Sequence, residues 1–575
     1  MLGANIIAAA IKDMGIKIVY LYPGGTIAPL LDAFVSLGIE YVCARNEQGA
    51  GYAAIGAAKM TGKPQLVMVT SGPGATNLVT PVADAYYDSV PIIAITGQVG
   101  VSDINIERKV RQTGFQETDS KNIFTPITKK ASVIIKFENL YQQITDMVTI
   151  TTDGRPGPVL IDIPMSIQRG KVENERWARP IISEYNNAVV STNEIVEEGE
   201  VESALKMLES AERPLVLVGN GVYISKATDS LKNVIDKMGV PVVCSLPGVG
   251  AFSGNHPLYY GFIGHTGEFY ANIAANYADL ILVLGARLDL RQTGTELDKF
   301  LSNKRIVRVD IDAAELTHGR IDADLKIQGD VDSFLIQLLE KWGGMTPLNI
   351  STWIDKIEGW KTKYNSCQFY SHKDLSSYHI LRAVDNYTKG KRIMATSGVG
   401  THQQLVARYF TFDYPDRVWM TSAGHGTMGY DVPTMIGAML ERSDYDYGLV
   451  FVGDGSFQMN IQELATIKNF NLPIKIFVLD NQRLGLVSQF QLMNWPTDYS
   501  TGRKINPSFS SIAIAYGLKG YDINNNDDLA EKLDDILDDS SGCVVHCHID
   551  SNEDVLPILL AGQKMNEMFP FDGEA

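Results

Sequence analysis

A short aliphatic, β-branched run, a glycine-bearing turn and then a stretch of helical patterning recur from one end of the chain to the other. A strand separated from the next by a helix cannot close a hairpin. Such strands lie parallel, with helices covering both faces of the sheet. In the first third the predicted strands are 16–20, 65–70, 92–96 and 159–163, with turns at Tyr22-Pro23-Gly24-Gly25 and Ser71-Gly72-Pro73-Gly74. A second set, 215–218, 242–245, 280–284 and 306–311, follows a polar stretch at 169–200 that reads as a linker. A third set, 392–395, 447–452, 474–479 and 544–549, follows another polar, helix-forming stretch at 343–374. At 575 residues the chain exceeds what one hydrophobic core fills. The expectation is an α/β fold of three doubly wound parallel-sheet domains, 1–175, 190–345 and 365–560.

The formal net charge of -17 excludes nucleic acid and acidic membranes as partners, because an acidic surface repels phosphates. Any phosphate-bearing ligand must then be held by a metal or by backbone N–H groups. Five scattered cysteines suit a reducing compartment. With no basic leader and no apolar run near the roughly 18 residues of a membrane span, the chain is expected to be soluble and cytoplasmic.

The most specific motif is Gly453-Asp454-Gly455-Ser456, directly after a predicted strand, with Asn481 placed alike one strand–helix unit later. Loops at the carboxyl ends of adjacent parallel strands converge on one ligand. Here they offer a carboxylate and an amide oxygen, hard ligands for Mg²⁺, and two glycines that let N–H groups approach a diphosphate. This is a thiamine diphosphate fingerprint. That cofactor needs a carboxylate against its pyrimidine ring, in a poorly solvated place where a proton is easily shared. Glu47 fits, because Tyr41-Val42-Cys43-Ala44 reads as a short strand and Arg45-Asn46-Glu47-Gln48-Gly49-Ala50 opens a small-residue helix. A Glu there otherwise serves the helix dipole.

With Thr70-Ser71-Gly72-Pro73-Gly74-Ala75-Thr76-Asn77, Phe115-Gln116-Glu117, Gly154-Arg155-Pro156-Gly157-Pro158, Gly285-Ala286-Arg287, Met428-Gly429-Tyr430 and Asp454-Gly455-Ser456-Phe457-Gln458-Met459-Asn460, the chain resembles the acetolactate synthase large-subunit family from end to end. The resemblance implies decarboxylation of pyruvate on thiamine diphosphate and addition of the hydroxyethyl carbanion to a second carbonyl substrate. It implies Glu47 as activator, with Gly25, Phe115 and Gln116 facing the reacting carbons. Met428 becomes the wedge that bends the cofactor, while Asp454, Asn481 and the carbonyl of Arg483 bind Mg²⁺. Pro23, Pro73, Asn77, Val399, Gly400, Thr401, His402, Gly426, Gly453, Gly455 and Ser456 fall at the other cofactor positions. A non-redox FAD is implied in the middle domain at Arg155, Gly219, Gly221, Leu246, Gly285, Arg287, Asp330 and Val331. The cofactor of this family lies between the first domain of one subunit and the third of another, which implies a homo-oligomer, dimer or tetramer.

The departures fall where the second substrate is expected. Met165 stands for a Lys, Leu290 for an Asp, His425 for a Leu and Phe490 for a Trp. That pattern also resembles carboligases whose acceptor is a keto-deoxy-sugar nucleotide, and the sequence leaves the acceptor and any regulatory subunit open. Pyruvate decarboxylases of the yeast type carry an adjacent histidine pair, which this chain lacks. A pyruvate oxidase needs redox-competent FAD, and a non-catalytic relic would not keep Glu47, Asp454 and Asn481 together. Cys543-Val544-Val545-His546-Cys547-His548 is expected to be a buried strand and not a zinc cluster, since alternation sends the cysteines to one face and the histidines to the other. The acidic run 524–539 is expected to be a loop and a solvated helix.

Overall fold

The computed structural model describes residues 1–105, 109–178, 196–499 and 506–571; most of the linker, 179–195, lies outside them. Three six-stranded sheets make the framework, and every strand pairing in them is parallel. The first holds β1 (Ile18–Tyr22), β2 (Glu40–Cys43), β3 (Gln65–Val69), β4 (Ile92–Gln98), β5 (Lys130–Val133) and β6 (Val159–Pro164). The middle sheet holds β7 (Pro214–Val218), β8 (Val242–Cys244), β9 (Tyr259–Phe262), β10 (Leu280–Leu284), β11 (Arg305–Asp310) and β12 (Leu325–Gln328). The third holds β13 (Ile393–Ser397), β14 (Arg417–Thr421), β15 (Tyr447–Gly453), β16 (Ile474–Asp480), β17 (Lys519–Ile523) and β18 (Cys543–His548).

The first and third sheets share one topology, β2-β1-β3-β4-β6-β5 and β14-β13-β15-β16-β18-β17, whereas the middle sheet runs β12-β11-β10-β7-β8-β9. Each order contains a point where the chain reverses its direction of travel across the sheet, between β1 and β3, β7 and β10, and β13 and β15. Loops leaving the carboxyl ends of such a strand pair diverge and open a crevice. The glycine-bearing turns of the sequence stand at these three places.

The predicted strands are the interior ones and β2, the edge strand read at 41–44. The structure adds β5, β9, β12, β14 and β17, all at sheet edges, and most of them are only half covered. The acidic run forms the helix Asn526–Asp538, capped by Asn525, and its leucine face is buried. The first and third domains are locked together by two helices, Glu47–Thr61 and Asp431–Glu441. Gly56 lies against the backbone of Thr434 and Gly437 against that of Ala53, so close that a Cβ on either glycine would collide. No helix among the described residues is long and apolar enough to cross a membrane.

Candidate active site

At the reversal between β13 and β15 lies a cavity of about 110 Å³. Its walls include Val399, Gly400, Thr401, His402, Met428, Gly453, Asp454, Gly455, Ser456, Asn481 and Arg483, so eleven residues expected at the cofactor share one space. Thr401 and His402 open the helix Thr401–Tyr409, whose first N–H groups are free for an anion. Thr401 Oγ1 is buried with no hydrogen-bond partner among the described residues, and buried His402 Nε2 lies 3.6 Å from Asp431 Oδ1, beyond hydrogen-bond distance. Buried polar atoms left this way are costly unless a ligand completes them. A diphosphate is such a ligand.

Asp454 is buried, and burial, reinforced by the charge of Asp480, pushes its carboxyl up to about 6 despite a hydrogen bond from Asn506. Asn506 Nδ2 donates to Asp454 Oδ2 at 2.7 Å and to Asp480 Oδ1 at 2.8 Å. A divalent cation at Asp454 would relieve that penalty. Asn481 is equally enclosed, and its Oδ1 accepts from Arg483 N at 3.2 Å. Between them Gln482 takes a left-handed conformation (φ 56°), unusual for a residue with a side chain and frequent where a loop is shaped for binding.

Sequence reasoning missed the group that ties these loops together. Asp431, almost fully buried, accepts from Gly398 N before the Val399–His402 turn and, at 2.5 Å, from Ser456 Oγ of the metal loop. Ser456 Oγ in turn accepts from Gly429 N, beside Met428, at 2.8 Å. One carboxylate thus ties together the Val399–His402 turn, the loop that carries Asp454 and, through Ser456, the loop beside Met428. Its partners are spread over some sixty positions of sequence and no local pattern announces them, nor does one announce Asn506.

Glu47 begins the helix Glu47–Thr61 behind an Asn46 cap and is buried. Asn77 Nδ2 donates to its Oε2 at 2.9 Å, while Oε1 faces Gly74, where a Cβ would stand 3.5 Å away. The neighbouring backbone is anchored to the third domain: Arg45 N donates to Glu463 Oε1 at 2.8 Å, and Gly49 leaves room for that carboxylate. Gly25 and Phe115 are exposed, with Phe115 86% accessible, and Gln116 packs its backbone against Gly72. Pro23 and Pro73 are likewise exposed at the β1–β3 reversal, and Gly426 is half-buried beside the wedge. None of these first-domain residues lines the 110 Å³ cavity of the same chain.

The four residues expected at the acceptor are not gathered around that cavity either. His425 stacks on Tyr87 (5.4 Å, 11°) and Phe490, 57% accessible, packs edge-on against Trp495. Leu290 is exposed and Met165 half-buried, each at the start of a short helix. In the middle domain Gly219, Gly221 and Gly285 meet at the β7–β10 reversal, where a dinucleotide would lie. Their Cβ-less faces also press directly on one another, which gives these glycines a packing reason of their own. Arg155 pairs with Asp312 (3.1 Å) and Glu315 (2.9 Å), Arg287 with Asp289 (2.9 Å), and Asp330 caps the helix Val331–Trp342, while Leu246 is half-buried.

Three family models match the chain: the thiamine pyrophosphate enzyme N-terminal TPP binding domain over residues 1–123, the central domain over 201–338 and the C-terminal TPP binding domain over 398–547. The acetolactate synthase isozyme 2 large subunit of Escherichia coli (strain K12) is 36% identical over 571 residues, covering 99% of each chain. The isozyme 1 large subunit of the same organism is 37% identical over 572 residues, 98% of this chain and 97% of that one. The acetolactate synthase large subunit of Lactococcus lactis subsp. lactis (strain IL1403) is 35% identical over 569 residues, 98% of this chain and 96% of its own.

Proposed function

The chain belongs to the acetolactate synthase large-subunit family of thiamine pyrophosphate enzymes, which form carbon–carbon bonds, and from that premise we propose that it decarboxylates pyruvate and joins the remaining two-carbon unit to a second carbonyl compound. The observation that carries this reading is the enclosure of Thr401, its hydroxyl unpartnered, with His402, Asp454, Asn481 and Met428 around one cavity. When bound, thiamine diphosphate supplies the nucleophilic carbon on which such bonds break and form.

In this reading Asp454, Asn481 and the carbonyl of Arg483 hold Mg²⁺, with the left-handed turn at Gln482 setting the direction of that carbonyl. The N–H groups at the start of the helix Thr401–Tyr409, with Thr401 Oγ1, take the diphosphate oxygens, and His402, whose Nε2 lies toward Asp431, lines the same end of the cavity. Met428, in the wall of the cavity at the β13–β15 reversal, would support the cofactor there. Glu47 shares a proton with the pyrimidine ring, one oxygen fixed by Asn77 and the other open over Gly74. Gly25, Phe115 and Gln116 face the reacting carbons while Pro23, Pro73 and Gly426 stand at the cofactor, and the outward exposure of the first-domain members suits a site completed by a second copy of the chain. The β7–β10 reversal is the place for FAD, acting without redox change and flanked by Arg155, Leu246, Arg287, Asp330 and Val331.

A second reading keeps the donor and changes the acceptor to a keto-deoxy-sugar nucleotide. It is favoured by apolar Met165 and Leu290, and by Phe490 and His425, which offer no lysine for a second 2-oxo acid's carboxylate. The two are separated by product analysis with pyruvate alone, then with 2-oxobutyrate and a 4-keto-deoxy-sugar nucleotide in competition. Acetolactate alone supports the first reading and a branched sugar the second. Acetaldehyde or acetate as the main product sinks both.

A further inference from the structure

Beyond the cofactor loops, three adjacent parallel strands end in a cluster of imidazoles and carboxylates. Asp480 closes β16, Asp522 lies near the end of β17, and His546 and His548 end β18. Registry places Asp480 beside His548 and Asp522 beside His546. Alternation along β18 does put both histidines on one face, away from Cys543 and Cys547 in the core. The strand by itself offers no convergence, as expected from the sequence. The neighbouring strands supply it.

Asp522 Oδ1 lies 3.5 Å from His546 Nδ1 and 3.4 Å from His548 Nε2, and the two rings stand 4.0 Å apart. Ligand atoms on a metal with bonds of about 2.0–2.1 Å are separated by roughly 3.3–3.5 Å in a tetrahedral site. The outer groups are arranged as metal ligands require. His546 Nε2 is 2.8 Å from Asp480 Oδ2, which holds the proton on Nε2 and leaves the lone pair on Nδ1, where a bound ion would replace the long 3.4 Å contact from Phe509 N. A carboxylate behind a histidine fixes its tautomer in this way in metal sites. Ser510 Oγ, at 2.6 Å, orients the second oxygen of Asp522. Asp480 and His546 are buried, whereas the side chains of Asp522 and His548 are 46% and 39% accessible, which leaves an entry path and room for water.

We propose that His546 Nδ1, His548 Nε2 and Asp522 Oδ1 form a binding site for a borderline-soft divalent metal of the zinc type, oriented by Asp480 and distinct from the Asp454–Asn481 site. Two imidazoles and one carboxylate favour Zn²⁺ or Co²⁺ over Mg²⁺, which prefers oxygen donors. The ion would cross-brace β17 and β18, with solvent completing its coordination.

The test strips the protein with a chelator, restores thiamine diphosphate and excess Mg²⁺, and titrates Zn²⁺ by calorimetry and Co²⁺ by visible absorption. One Zn²⁺ per chain is expected at a Kd of about 1 μM or tighter, with the intense visible bands of low-coordinate Co²⁺. His548→Ala and Asp522→Asn should each weaken uptake at least about tenfold, while pyruvate turnover stays within about twofold and reports an intact fold. Failure of Zn²⁺ to bind in excess Mg²⁺, or unchanged affinity in either variant, overturns the assignment.

Discussion

At the scale of single residues, the chemistry-bearing groups divide into those that stand in a local motif and those that do not. Gly453-Asp454-Gly455 and Glu47 are legible in sequence because the strand, the turn and the reactive group are contiguous. Asp431 is invisible there, since its partners Gly398 and Ser456, and Gly429 reached through Ser456, come from three separate segments. Its role predicts the outcome of Asp431→Asn: loss of charge-assisted hydrogen bonds among buried loops. Affinity for thiamine diphosphate should fall about tenfold or more, which corresponds to roughly 1.4 kcal/mol, and the cofactor-free protein should lose about 1–3 kcal/mol of stability, because a buried donor is left unmatched. A cofactor titration by fluorescence quenching, alongside thermal unfolding, separates the two effects.

At the scale of elements, the interior strands are legible because they are uninterrupted aliphatic runs, and the edge strands other than β2 are not. β5 reads Lys-Ala-Ser-Val and β17 Lys-Gly-Tyr-Asp-Ile, sequences whose strand character comes from pairing with a neighbour and not from their own composition. Between β4 and β6 the sheet carries a buried carboxylate. Asp162 accepts from Thr96 Oγ1 at 2.7 Å and Gln98 Nε2 at 2.9 Å, and burial pushes it up to about 7. The folded state therefore holds this proton more tightly than the unfolded chain, whose carboxyl titrates near 3.8. Its contribution is fully present below about pH 4 and is lost as the pH rises through about 7. Asp162→Asn should remove that loss. Between pH 5 and 7.5 the wild type should lose about 2 kcal/mol relative to the variant, measured as the shift in urea midpoints of the first domain's transition.

At the scale of the whole molecule, the first and third sheets share a topology, and the residues proposed to hold the cofactor fall into two halves, one on each of these domains. Within one chain those halves do not share a cavity, since Glu47 stands on the first domain and the metal loop in its own enclosure on the third. A site completed by a second copy predicts complementation. Glu47→Gln and Asp454→Ala chains, each nearly inactive alone, should regain a substantial part of wild-type pyruvate turnover when co-expressed and purified as hybrids, because one of the two sites is then intact. Hybrids as inactive as their parents would place both residues in the same chain's site. The central claim is that Glu47 activates thiamine diphosphate, and it is tested most directly by the exchange rate of the cofactor's C2 proton with solvent deuterium, followed by quench and NMR. Glu47→Gln should slow that exchange by at least about 100-fold with the cofactor still bound, whereas an unchanged rate would contradict the account.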